Sequence, residues 1–524
     1  MAARIALGPY GSVLVRRRWP AAARTAAGIV AAAVSLSGCM VGPDYHQPDA
    51  KALGIPDNWH ASLPHGGSVA ELARWWRRFD DPVLSQLIDA AQADNPNLDV
   101  AISRVREAQA QQRGSVAALL PQLNATGSFD RSNSNTQAVT SNDITQSDTL
   151  EEGELNTTRG ALEASWEIDL FGRSRRAVQA ASARGDAAVD DWHDARVSIA
   201  ADVADNYAAL RECEALVEAR GDEQRSREQS NQLTQLRVQA GFLAPVDAAL
   251  PIASVAEGVN ALTQQASLCE QYRNSLTGLT GIQRERLDGL LKPGYAVMLA
   301  PRDGAIVSLP ATSIEQRPDV RSAERALAAA SAEIGEAEAA RLPSLSLTGS
   351  IEVDRYHVTG QSLTLRPWSF GPSLTLPVLD GGSGAANQRA ARARYDGALA
   401  TYRAKVRQAV NEVENALTRV DASVELERSA LEAEQHYRIY SEATDRQFQA
   451  GSSDVLDVET ARGQLIASLE AVAVAQLERA QAWIALYRAI GGGWQDATEV
   501  VAEVPPRPPA PDRRAAGGSE AVAR

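Results

Sequence analysis

Aromatic residues supply only 5% of this 524-residue chain, and methionine and cysteine occur three times each. A chain this long could make several ordinary domains, but compact cores draw on large aromatic side chains that are scarce here. Ala, Glu, Arg, Gln and Leu instead fill long stretches without proline, notably 174–239 and 384–449, a composition suited to long helices. No glycine-rich loop ending in Lys-Ser or Lys-Thr occurs, so no cradle for nucleotide phosphates is expected. The three Met and six His do not cluster, and no Cys, His and acid constellation suggests metal binding or a reactive centre. His193 beside Asp194, within a helical stretch, reads as a solvated pair rather than a catalytic one. An excess of positive charge is lacking too. The formal charge of −14 becomes −19 once residues 1–38, with five Arg and no acid, are removed. So acidic a protein has no electrostatic reason to bind nucleic acid.

What is present begins with an export signal. Basic residues up to Arg24 precede a short apolar run, Ala26 to Leu36, which is too short to span a bilayer. The run ends in Leu36-Ser37-Gly38-Cys39, with two small residues directly before a cysteine. That arrangement resembles a bacterial lipobox, which predicts cleavage before Cys39 and a diacylglyceryl and N-acyl lipid on it. Met40 follows, where an Asp would signal retention in the inner membrane, so delivery to the outer membrane is expected.

The chain is also a duplication. Asn95-Pro96, Leu120-Pro121, Leu123 and Gly127 are matched by Arg317-Pro318, Leu342-Pro343, Leu345 and Gly349, every pair at an offset of 222. Gln239-Ala240-Gly241 and Asp247 are matched by Gln449-Ala450-Gly451 and Asp457 at an offset of 210. The expected organisation is a signal peptide at 1–38, a lipidated segment at 39–83, a first repeat at 84–290, a connecting segment at 291–316, a second repeat at 317–494 and a disordered tail at 495–524.

Each repeat holds two stretches of strict alternation, the mark of strands with one apolar face. Leu123, Ala125, Gly127 and Phe129 alternate with polar residues, as do Leu162, Ala164, Trp166, Ile168 and Leu170. In the second repeat the same holds for Leu345, Leu347, Gly349, Ile351 and Val353, then for Trp368, Phe370, Leu374, Leu376 and Val378. The segment 132–158 between the first two, rich in Asn, Ser and Thr, reads as a solvent-facing loop. These strands are about the length a tilted strand needs to cross a membrane, though a half-buried soluble sandwich would alternate as well. Four strands cannot close a membrane barrel, so several chains must pool theirs.

The long proline-free stretches carry an apolar stripe at three- and four-residue steps through Val203, Tyr207, Leu210, Cys213 and Val217, with Glu, Arg and Gln on the other faces. Each ends in Gly, a short turn and a returning helix, which runs to about Gly281 in the first repeat and Gly491 in the second. If continuous, helices of this length reach roughly 100 Å and must pack in an extended bundle.

Several landmarks in order carry a family resemblance. They are Cys39 followed by Gly42-Pro43-Asp44-Tyr45 and Pro48; Trp75-Trp76, Phe79, Asp81-Pro82 and Leu84; Arg317-Pro318-Asp319-Val320; and Leu486-Tyr487 with Gly491-Gly492-Gly493-Trp494. In these the chain resembles TolC-like outer-membrane efflux proteins, in the NodT-like or OprM-like lipoprotein branch that serves tripartite resistance-nodulation-division pumps. The resemblance implies an α+β membrane protein: a homotrimer with a 12-stranded β-barrel, four strands from each chain, continued by a long periplasmic α-helical barrel. It implies a passive, non-catalytic exit duct for drugs or other small toxic molecules. Its partners would be a periplasmic adaptor (membrane fusion) protein and an inner-membrane pump, and no cofactor beyond the lipid on Cys39 is expected. A coiled-coil lipoprotein with no pore is the alternative of a different class.

Ducts of that family are held closed at the periplasmic tip by polar and acidic residues of the helix-turn-helix ends. Carried over, this makes Asp247, Asp457 and Asp454 the candidate gate, as rings of carboxylate in a trimer. An Asp at a helix start equally serves as its cap. Cys213 and Cys269 lie about 30 and 26 residues from the turn near residue 243, hence at similar heights on an antiparallel hairpin. In an oxidising compartment such thiols commonly pair, so they are a disulfide candidate, with two buried free thiols as the alternative.

Overall fold

In a computed structural model of the protein, the described residues are 40–49, 53, 55, 56, 59, 75–135, 152–301, 314–358 and 361–492. The export signal, Cys39, the greater part of the connecting segment and the tail lie outside them. Two compact units divide the described chain, and each draws on both sequence repeats. One comprises 40–47, 107–185 and 325–400; the other comprises 48–106, 186–324 and 401–492.

The helices fall wholly or in part in the second unit. Helix α1 (Pro82–Asp94) starts where Asp81 accepts hydrogen bonds from the amides of Val83 (2.7 Å) and Leu84 (3.1 Å), with Pro82 in the first turn. It buries Leu84, Leu87, Ile88 and Ala91. Helix α2 (Pro96–Ala117) follows, then the long α3 (Arg173–Gln239), the returning α4 (Ala249–Thr280) and the short α5 (Arg284–Leu291). In the second repeat α6 (Pro318–Ala339), the long α7 (Ser383–Gln449) and the returning α8 (Val455–Ala489) occupy corresponding places. Helices α3 and α7 are each 67 residues. No helix among the described residues is long and apolar enough to cross a membrane.

The residue before each repeated proline does one job twice. Asn95 donates to the carbonyl of Leu279 (2.9 Å), and Arg317 donates to the carbonyl of Ala489 (2.7 Å). Leu279 and Ala489 are themselves offset by 210, so in each repeat the entry to one helix satisfies an orphan carbonyl at the end of the returning helix. Gly281 and Gly491 adopt positive φ just past those ends, the left-handed conformation that lets the chain turn away.

A cluster of the scarce aromatics lies in this unit. Trp75 stacks on Tyr487 with centroids 5.1 Å apart and meets Trp76 and Phe79 edge-on. Cys213 and Cys269, both buried, are joined by a disulfide with Cα atoms 5.6 Å apart.

Two expectations about side chains are corrected. Polar residues of α3 do not all face water: Arg211 is 1% exposed. It donates to Glu214 (2.8 Å), to the carbonyls of Leu291 (3.0 Å) and Pro293 (3.1 Å), and to the Tyr207 hydroxyl, which in turn donates to Asp81 (2.6 Å). A guanidinium with so many partners is tolerated where an unpaired one is not. Nor is His193 solvated. It is 1% exposed and lies beside Trp192, with ring centroids 4.8 Å apart.

The first unit carries one antiparallel sheet. Strands β1 (Gln122–Asn135), β2 (Glu152–Ile168) and β3 (Ser344–Val358) lie in that order, and β3 pairs with both β4 (Gln361–Leu365) and β5 (Trp368–Thr375). The last two are one strand in register, interrupted at Arg366-Pro367: Leu365 faces Asp354, Trp368 faces Ile351, and the Glu352 amide still donates to the Pro367 carbonyl (3.0 Å). Proline has no amide to give back, which breaks the ladder there. Pairing also runs beyond the expected strand ends. Ser132–Asn135 and Glu152–Thr158 belong to the hairpin rather than to a loop.

Candidate functional site: the polar sheet face and the hairpin turns

Directly paired residues of an antiparallel sheet share a face, so the register sorts every side chain. Leu123 faces Ala164, Ala125 faces Leu162, Leu162 faces Ile351, Trp166 faces Leu347, Ile168 faces Leu345, and Phe370 faces Gly349. The apolar residues of these pairs therefore share one face. That face is uncovered: Leu123 is 70% exposed, Ile351 66%, Trp368 77% and Leu374 67%. So large a continuous apolar surface is far beyond what a water-facing protein leaves open.

The other face carries Asn124, Thr126, Glu163, Ser165, Glu167, Ser346, Thr348, Ser350 and Ser369, and its central residues are tied by polar bonds across strands. Arg159 pairs with Glu352, and the Ser350 and Ser369 hydroxyls meet at 2.9 Å. At the helix end of this face a polar cleft of about 480 Å³ is lined by Gln122, Ser165, Glu167, Arg173, Ser346 and Thr348, among others. A sheet with one dry and one wet face suits a boundary between lipid and water. Both of its edges, β1 and the β4–β5 strand, pair on one side only within the described chain.

The turns joining the long and returning helices differ between repeats. In the second, Asp454 caps α8: its carboxylate accepts from the Asp457 amide (2.9 Å), while Asp457 accepts from the Asp454 amide (3.3 Å) and the Ser453 hydroxyl (2.9 Å). In the first, the place of Asp454 is taken by Ala244, and only Asp247 contributes a carboxylate, accepting from the Ala244 amide (2.9 Å). All three acids are exposed, and all three serve as caps. Gly241 and Gly451 both adopt positive φ at the ends of their long helices. The first turn also presents Phe242 (82% exposed) and Val246 (74% exposed) where the second has Ser452 and Leu456. The run Gly241-Phe242-Leu243-Ala244-Pro245-Val246 is the sequence signal of this apolar tip.

Helix α3 carries three carboxylates that burial makes hard to ionise. Asp194, Asp205 and Glu212 are spaced by three and two turns, which puts them on one side of the helix. Burial, followed by the nearby Asp202, pushes Asp205 up to about 6, against the pull of Arg488 and Arg419. Asp194 is raised by burial and then by Asp319, and Glu212 by burial and then by Glu470. Among the described residues no group of three or more His, Cys, Asp or Glu side chains is placed to hold a metal ion.

Comparison with known proteins gives these features a setting. The profile of the family described as outer membrane efflux protein matches residues 87–282 and 309–492. Nodulation protein T of Rhizobium leguminosarum bv. trifolii is 30% identical over 482 residues, spanning 88% of this chain and 95% of its own. The toluene efflux pump outer membrane protein TtgC of Pseudomonas putida is 30% identical, over 88% of this chain and 94% of its own. Among solved structures, the outer-membrane channel OprN superposes with a TM-score of 0.71 at 29% identity, covering 87% of this chain and 100% of its own. The CmeC outer membrane channel of Campylobacter jejuni gives a TM-score of 0.73 over 88% and 96%, at 23% identity, a likeness of fold.

Proposed function

This chain belongs to the outer membrane efflux protein family, and we propose that three copies pool their strands into a single pore through that membrane. The protein is the passive outer-membrane exit component of an efflux system, with a periplasmic extension. One observation carries the pore reading: a sheet open at both edges, apolar on one face and polar on the other. In lipid, open edges leave backbone groups without partners, so the edges must meet those of other copies. Counting β4–β5 as one, four strands from each of three chains give twelve, enough to close a water-lined barrel.

In the same reading the helices of three copies continue the pore as a periplasmic conduit. Its tip, formed by turns 241–247 and 451–457, meets a periplasmic adaptor, and an inner-membrane pump supplies the energy. The exposed Phe242 and Val246 give the first turn an apolar contact for that adaptor, and Asp247, Asp454 and Asp457 give the tip its acidic ring. Cargo would be small toxic molecules, the toluene efflux relative being one such case. The sequence repeats are the duplicated halves of one ancestral unit.

Native mass spectrometry of the detergent-solubilised protein tests the assembly. Three chains per particle are expected, and a monomer as the only species overturns the pore. Lipidation at Cys39, which lies outside the described residues, is tested by labelled fatty acid. Label on the wild type and none on Cys39→Ser is expected, while label on the substituted protein contradicts it.

A further inference from the structure

Beyond the apolar band, at the hairpin end of the sheet, the same face changes character. The band runs on β3 from Leu345 to Val353, nine residues, about what a tilted strand needs to cross a membrane. The next position on that face is Arg355, opposite Thr158 on one side and Thr364 on the other. The unbroken register of β4 and β5 puts Arg366 opposite Val353, on the same face and diagonal to Arg355. Diagonal neighbours on adjacent strands lie within reach of long side chains, and like charges so placed repel.

Both arginines are exposed, and neither has an ion-pair partner among the described residues. The carboxylate of this face nearby, Glu154, is engaged by Arg131. The next same-face residue after Arg366, toward the apolar band, is the exposed Trp368. Phe129 lies in one row with Thr158 and Arg355. The face thus passes from aliphatic to aromatic to cationic within a few residues. The helices leave from the opposite end of the sheet, at Phe171 and beyond Thr375, so the arginine end is the one turned away from the periplasm.

We propose that Arg355 and Arg366 form a binding site for the phosphorylated headgroup of a glycolipid in the outer leaflet, clamping one phosphate per subunit on the outside of the barrel. A phosphate between two guanidiniums turns their repulsion into two charge-assisted contacts, and it would sit above the acyl chains that cover Trp368 and Ile351. The site rests on the reading that this face meets lipid.

The full-length protein is reconstituted into phosphatidylcholine vesicles doped with bis-phosphorylated lipid A or with its dephosphorylated form. Binding is read by lipid retained per trimer and by quenching of Trp368, the reference being Trp368→Phe. With wild-type protein the phosphorylated lipid should be retained at least ten-fold over the dephosphorylated one. The double substitution Arg355→Gln/Arg366→Gln should lose that preference, and Arg341→Gln, at the helix end, should keep it. Brominated phosphatidylcholine should quench Trp368 in every variant. If Trp368 is quenched but the double variant still prefers phosphorylated lipid, the arginine site is wrong while the pore reading stands. If Trp368 is not quenched at all, the face does not meet lipid and both fail.

Discussion

Asp205 is the residue whose chemistry is most sensitive to the compartment it occupies. Its carboxyl is pushed up to about 6 by burial and by Asp202, with Arg488 and Arg419 opposing, whereas an unfolded aspartate titrates near 3.9. Between those values the folded protein binds the extra proton, so stability rises as the pH falls from about 6 to about 4. Asp194 and Glu212 are shifted in the same direction and add to the trend. Above pH 6 the charge is buried at a cost, so Asp205→Asn should raise the melting temperature at about pH 7.5 and flatten its dependence between about pH 4 and 6. Thermal melts of the wild type and the variant across that range check this, and a lower melting temperature for the variant at neutral pH contradicts it. The disulfide closes a separation of 56 residues, a loop for which chain-entropy arguments give about 4 kcal/mol of stabilisation. We expect Cys213→Ser/Cys269→Ser to melt lower, as reduced wild type does, with no change in conductance. Equal melting temperatures would leave the bond without a role in stability.

Among the elements, the sheet makes the sharpest claim, because neighbouring residues of one strand should respond oppositely. Leu347 lies within the apolar band and Thr348 on the polar face. A lysine near the middle of a lipid-facing strand costs about 2–4 kcal/mol, so Leu347→Lys should reduce the yield of assembled protein in the outer membrane. Thr348→Lys should assemble normally and shift ion selectivity instead. Equal yields from both would mean that the two faces are not distinguished by lipid and water. At the turns, Asp454→Ala removes the cap of α8 at a cost of about 1 kcal/mol, to be seen as faster amide exchange at Asp457 and Val458. Asp247→Ala/Asp457→Ala should in addition raise single-channel conductance if the acidic ring holds the tip closed. Unchanged conductance with the oligomer intact would leave these acids as caps alone.

The strands were legible wherever one face meets something apolar, as from Leu345 to Val353. They were illegible at Glu152–Thr158 and at Gln361–Leu365, where the alternation that marks a strand fades although the backbone ladder continues. Helix lengths could be read almost to the residue because glycine and proline punctuate them. The burial of Arg211 could not, because it depends on the carbonyls of Leu291 and Pro293, far away in the chain.

For the molecule as a whole, the single chain is incomplete by its own physics. Each compact unit draws on both sequence repeats, and the sheet exposes an apolar face and two open edges that one copy cannot cover. The proposed barrel shared by three copies would resolve both problems and leave the polar faces to line a channel. Such a duct needs no energy of its own. Its cargo would be selected upstream, which agrees with a polar face that offers a broad, hydroxyl-rich lining. The most direct measurement is single-channel recording of the purified full-length protein in a planar lipid bilayer without nucleotide or partner proteins. Discrete current steps linear in voltage are expected, small for the wild type and larger for Asp247→Ala/Asp457→Ala. Membranes that contain the inserted, trimeric protein yet pass no current with either would contradict the pore.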